Sequence, residues 1–218
     1  MGTITRSFAN NLTTGGVLKA DAFNNASLNN VTALNAAIAT GNMILLSSQT
    51  ASSSASISFT TGIDSTYKEY QFYFINMHPA TNGVEFQFNM STDGGSSYNV
   101  AKTTTTFEAS QNEAGSSTNL TYQAGDDLAQ GTGFQELSDG IGNENDECNA
   151  GTLTLFNPSS TTYVKHFIAT TNMYNGGDFS VNDFTAGYGN TTSAVNAIQF
   201  KMSSGNIDEG TILMYGIN

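Results

Sequence analysis

Asp126, Asp127, Asp139, Glu144, Asp146 and Glu147 are the residues whose types and spacing come nearest to chemistry. Two carboxyls in unlike surroundings can serve as acid and base on a glycosidic bond, provided their environments push the pKa values apart. Here the carboxyls stand in Gly-rich sequence, where solvated acids are the expected state, and the chain has no Trp to hold a sugar. The run from Asp139 to Glu147 also offers hard oxygens of the kind Ca²⁺ takes, with Asp139, Glu144 and Asp146 as its ligand candidates, but the spacing is not that of an EF-hand loop. His78 precedes Pro79 at a strand end, where a turn residue making one hydrogen bond accounts for it. His166 alternates with Val164 and Ile168 and reads as a packed or interface histidine. Serines abound, yet none sits in the strained turn of a hydrolase nucleophile, and no Gly-Lys phosphate loop occurs. The expectation is a chain without catalytic residues, bound metal or cofactor.

The elements that would position such groups follow from periodicity. After residue 43 the pattern is period two, broken by turns. Strands are predicted at 43–48, 55–59, 69–77, 84–90, 98–105, 118–124, 151–157, 163–171, 194–203 and 209–217. Tyr70, Phe72 and Phe74 share one face of the third, with Gln71, Tyr73 and Ile75 on the other, so a strand in mid-sheet is predicted. Val84, Phe86, Phe88 and Met90 point inward on the fourth, and Glu85, Gln87 and Asn89 outward. Asp93, Gly94 and Gly95 read as a hairpin turn, as do Ser204, Gly205 and Asn206. Residues 108–149 read as long acidic loops with one strand. Roughly eight to ten strands without βαβ spacing make the fold class all-β, a jelly-roll-type sandwich over residues 43–218.

Residues 1–42 differ, being rich in Asn, Ala and Thr with apolar beads at Phe8, Leu12, Val17, Leu18 and Phe23. Leu28, Val31, Leu34 and Ile38 then fall three or four apart, the spacing of one helix face. That stripe is narrow, so two readings stand: a helix packed on its own domain, or an anchor and oligomer-forming stem that gains burial from neighbouring copies. The second gives an expected homotrimer.

Composition removes several function classes. The net charge is −12 with six Lys and Arg in all, so a phosphate-tracking surface cannot be assembled, and attraction to an anionic membrane is disfavoured. Charged residues make up 11% of the chain against roughly 25% in an average domain, so neutral polar groups keep it wet. The single Cys148 rules out an intrachain disulfide and a multi-cysteine metal site. No apolar run of signal-peptide or membrane-spanning length is present, so synthesis in a cytoplasm without an encoded export route is expected.

Four stretches carry a resemblance. LLSSQTASSSASISFTTGIDSTYKEYQFYFINMHPATNGVEFQFNMSTDGGSSY from Leu45 resembles a module of fibre and other virion proteins of tailed bacteriophages, marine ones especially. ITRSFANNLTTGG from Ile4, NPSSTTYVKHFIATTN from Asn157 and GNTTSAVNAIQFKMSSGNIDEGTILMYGI from Gly189 resemble the same group. The resemblance implies a β-rich fold, a place on the virion surface after synthesis in the host cytoplasm, and partners among the capsid or tail proteins. It carries over no catalytic residue. A decoration or short-spike subunit is the expected role. The alternative is a receptor-binding module that meets host glycan or protein through loops at 111–149 and 172–190, with Tyr122, Phe134, Tyr174, Phe179 and Tyr188 as stacking platforms.

Overall fold

In the computed structural model, residues 43–217 are described, and every regular element among them is a strand. The nine apolar beads of residues 1–42 lie outside the described residues. In chain order the strands are β1 (Met43–Thr50), β2 (Ile57–Phe59), β3 (Glu69–Pro79), β4 (Val84–Ser91), β5 (Lys102–Asn112), β6 (Thr118–Tyr122) and β7 (Ala129–Gly131). They continue with β8 (Gln135–Ile141), β9 (Asn149–Phe156), β10 (Lys165–Asn175), β11 (Phe179–Gly189), β12 (Ala197–Met202) and β13 (Ile207–Ile217).

Pairing nests about the middle of the chain: β4 with β8, β3 with β9, β2 with β12 and β1 with β13, all antiparallel. A ribbon of such pairs, wrapped on itself, sends alternate pairs to opposite sheets. The resulting orders are β1-β13-β3-β9 and β2-β12-β4-β8. That is an eight-stranded jelly roll, and the expected sandwich stands. Five further strands enlarge one sheet only, continuing it as β9-β10-β11-β5, with β6 and β7 side by side along the far edge of β5. At one corner Asn175 of β10 pairs with Ile141 of β8 and joins the two sheets.

Aromatic rings fill the space between the sheets. Tyr70, Phe72 and Phe74 of β3 are buried, and β3 does lie mid-sheet, between β13 and β9. From the smaller sheet, Phe200 of β12 comes within 5.4 Å of Phe72 and 5.2 Å of Phe74, Phe59 within 5.5 Å of Phe72, and Phe86 within 5.0 Å of Phe74. Phe88 meets Phe167 of β10 at 4.9 Å, ring edge to ring face. Each such pair adds about 0.5–1.5 kcal/mol beyond its area burial. Where β13 passes the irregular centre of β3, Gly210 has φ +128°, and a Cβ there would stand 2.7 Å from the Asn76 carbonyl. Only glycine fits that bulge.

Several expectations are corrected. The turn at Asp93-Gly94-Gly95 exists, but it does not make a hairpin: β4 pairs with β8 and β12, and the chain crosses to the large sheet before β5 begins. Ser204 to Asn206 likewise carries the chain from one sheet to the other, because a jelly roll places β12 and β13 in opposite layers. Residues 108–149 are not long loops, since they hold the end of β5 and all of β6, β7 and β8. Residues 172–190 are the arms of the β10–β11 hairpin, in continuous register from Lys165 opposite Gly189 to Asn175 opposite Phe179. With β7, β8 and β11 added, the strands among the described residues number thirteen. Asn89 points away from the core yet is buried, under backbone from residues 98 and 132–133.

Candidate interaction surface

On two of the added strands the usual alternation is reversed. Apart from Val181, the buried inward side chains of β5 and β11 are polar: Lys102, Thr104 and Thr106 on one, Asp183 and Thr185 on the other. Aromatic rings stand on the outward side instead, with Phe107 and Phe184 directly opposite and their rings stacked at 4.7 Å, 8° from parallel. Interior hydrogen bonds make the reversal tolerable. Thr104 Oγ1 donates to Gln135 Oε1 at 2.6 Å, Thr106 Oγ1 to Thr185 Oγ1 at 3.3 Å, and Asn149 Nδ2 to Ser138 Oγ at 2.8 Å.

Across the middle of the enlarged sheet the outer face is uncharged. One register row runs from Ser48 through Leu213, Tyr73 and Thr152, then through Thr170, Phe184, Phe107 and Tyr122. The next row joins Leu45, Tyr215, Gln71 and Thr154 to Ile168, Ala186 and Thr105. Neither contains an ionisable acid or base apart from tyrosine. Glu69, opposite Ile217 and Phe156, stands at one end of the face, and His78 of β3 and Glu209 of β13, opposite each other, stand at the other. Exposed large apolar side chains collect here, Leu120 at 72%, Ile168 at 55%, Leu45 at 52% and Phe107 at 45% among them. Beside Ile168 lies a depression of about 470 Å³ walled by Phe156, Tyr188 and His166, with the Thr103 and Thr105 segment along its side. The two rings His166 and Tyr188 are 6.0 Å apart. His166 is exposed there and not packed.

The charge has gone underneath and aside. Glu108 of β5 sits directly opposite Asp183 of β11 on the inner face, and with Asp139 of β8 it lines a cleft of about 280 Å³. Asp183 is 3% exposed, and its Oδ2 has no hydrogen-bond partner among the described residues. Burial first, then Glu108, Asp126 and Asp139, push its carboxyl up to about 8. Burial and neighbouring carboxylates raise Glu136 to about 7 and Asp126 to about 6, and push Asp139 upward. The cluster can hold protons near neutral pH. Among the described residues no three acidic, histidine or cysteine side chains stand close enough to hold a metal ion. Two lysines are buried without a carboxylate partner. Lys102 Nζ donates to Asn89 Oδ1 at 2.6 Å and the Val100 carbonyl at 2.8 Å, and burial lowers its ammonium to about 7. Lys165 Nζ donates to the carbonyls of Tyr163 and Thr191.

The residues singled out from the sequence scatter over these regions. Tyr122 is exposed at the end of β6, its hydroxyl donating to Asp127. Tyr174 and Tyr188 are on the outward side of β10 and β11, the Tyr174 hydroxyl donating to Asp178 at 3.0 Å. Phe134 stands apart, capped by Lys201 Nζ at 4.5 Å from the ring centre, and Phe179 packs partly against the core. Asp139 belongs to the carboxylate cluster. Glu144 and Asp146 sit in the turn before β9, where the Glu144 N–H donates to Glu147 and its carbonyl meets His78 Nε2 at 3.1 Å. The sequence reading missed the outer face, for which the only signal was the uncharged Thr, Phe and Tyr at alternate positions of 103–107 and 184–188. No family model, no curated protein and no solved structure matches the chain.

Proposed function

We propose that the chain is a non-enzymatic subunit on the surface of a tailed-bacteriophage particle, fixed to capsid or tail as a homotrimer through residues 1–42. It acts as a decoration protein or short spike with its sandwich outward. The observation that carries this reading is the outer face: a jelly roll, an architecture common in viral shells and lectins, is extended on one side into a broad sheet whose outer face is uncharged across its middle, suited to contact and not to chemistry. The resemblance of the four sequence stretches to phage virion proteins supports the same role, and so does the net charge of −12, which keeps the rest of the surface from clinging to nucleic acid. Mass spectrometry and antibody labelling of purified particles test it. The protein is expected in intact particles and accessible to antibody; particles that contain none of it overturn the reading.

A second reading has its own observation. The depression between Phe156, Tyr188 and His166 has the aromatic walls and neutral hydroxyls that a host glycan would use. Purified protein is then expected to compete with particles for adsorption to host cells, and the Tyr188→Ala variant to compete less.

A further inference from the structure

Alone in water, the outer face of the large sheet leaves side chains such as Leu45, Ile75, Ile168, Phe107 and Leu120 uncovered on five different strands. Scattered exposed apolar residues need no account, but a contiguous band across β1, β13, β3, β9, β10, β11, β5 and β6 does. The geometry points to a second copy of this chain as its cover, the two outer faces packed sheet against sheet. The inference rests on the proposed role as a multi-copy surface subunit, and names the partner for that surface.

Charge selects the partner. The chain carries −12, so most approaches of one copy to another bring carboxylates together, whereas the two register rows across the middle of this face bring none. A basic or acidic partner would find no complementary charge along those rows. A saccharide would use polar groups throughout the face, but here large apolar groups recur from one edge to the other. Depletion of charge with enrichment of Phe, Tyr and aliphatics is the composition of an interface centre.

Area agrees. Eight strands spaced about 4.8 Å span about 34 Å, and the seven residues from His166 to Asn172 span about 20 Å, a footprint of roughly 680 Å². Two such faces cover roughly 1,400 Å², within the range of about 1,200–2,000 Å² that specific stable complexes bury. Sheets packed face to face at about 10 Å would interdigitate Phe107 and Phe184 of one copy with the outer rows of the other, as the sandwich already does inside.

The test is the solution mass of the full chain by size exclusion with light scattering at 0.15 M NaCl, a condition chosen to screen charge over about 8 Å. Wild type is expected at an even multiple of the 23.0 kDa chain mass, and Ile168→Lys and Phe107→Lys at half the wild-type mass. Tyr163→Lys changes an exposed aromatic that lies outside every strand, and is expected to keep the wild-type mass. Thermal melts establish that each variant is folded, and two separate face variants guard against one that is not. Wild type and a folded face variant of equal mass overturn the pairing. Because presence in the particle is measured separately, that outcome leaves the virion reading standing, and particles lacking the protein sink that reading without touching the pairing.

Discussion

Asp183 puts a proton where most folded proteins put a charge. An unfolded chain titrates Asp and Glu near 4, but in the fold Asp126 keeps its proton to about 6, Glu136 to about 7 and Asp183 to about 8. Between those limits the folded state binds more protons than the unfolded, so stability is full below about pH 4 and falls as pH rises through the folded values. Lys102 acts oppositely above neutrality: its folded value near 7 lies below 10.5, so its penalty fades as pH climbs from 7. The window from pH 5 to pH 7 therefore isolates the carboxylates. The melting temperature is expected to drop across it, and Asp183→Asn to remove on the order of 2 kcal/mol of that drop, about 5 °C for a domain of this size. A differential scanning series at the two pH values checks this. Asn89 carries a different load, its Nδ2 donating to the carbonyls of Tyr98, Thr132 and Gly133 at 2.7, 3.0 and 3.2 Å. Asn89→Ala leaves those carbonyls unpaired and takes away one of the two acceptors of the Lys102 ammonium. A loss of about 3 kcal/mol in urea unfolding is expected. Nothing in the alternation around Phe88 and Met90 distinguishes Asn89 from an exposed polar residue, because what covers it comes from distant segments.

At the scale of the element, legibility tracked amphipathicity. Strands β3, β4, β12 and β13 alternate apolar-in and polar-out, or are bulky on both faces, and period-two reading found them. β11 was missed because Val181, Asp183 and Thr185 face inward while Phe184 and Tyr188 face outward, a pattern without an apolar inner stripe. β8 was missed for a related reason: Gln135 and Ser138 are buried by hydrogen bonds to β5 and β9 and not by hydrophobicity. The hairpins read from Asp93-Gly94-Gly95 and Ser204-Gly205-Asn206 failed because turn chemistry fixes a reversal of the chain, not the sheet in which the next strand lands. The extension also depends on close approach between its strands. At Gly187 an added Cβ would meet the Thr103 carbonyl at 2.5 Å, and both atoms belong to backbone in the β11–β5 ladder. Gly187→Ala must part those strands locally, and amide exchange in β5 and β11 is expected to accelerate more than in β3 or β13, which lie several strands away. Uniform protection in the variant would show that the ladder absorbs the methyl without opening.

The whole molecule separates charge from contact. Carboxylates sit beneath the added strands, in turns, on the smaller sheet and at the two ends of the large sheet, while the middle of that sheet's outer face carries neutral and apolar groups. The jelly-roll frame was legible in strand count and spacing. This separation was not, since it requires knowing which strands become neighbours. It fixes how pairing of copies must respond to salt. Two chains of −12 repel through their remaining surfaces, and that repulsion is screened as ionic strength rises, whereas burial of Phe107, Phe184 and Ile168 involves no charge to be screened. Contact through ion pairs would weaken in the same titration. Sedimentation velocity from 0.02 to 0.5 M NaCl is therefore expected to show the paired fraction growing, by roughly tenfold in association constant if screening relieves about 1.4 kcal/mol of repulsion. An association constant that falls with salt would place the contact between copies on a charged surface and away from this face.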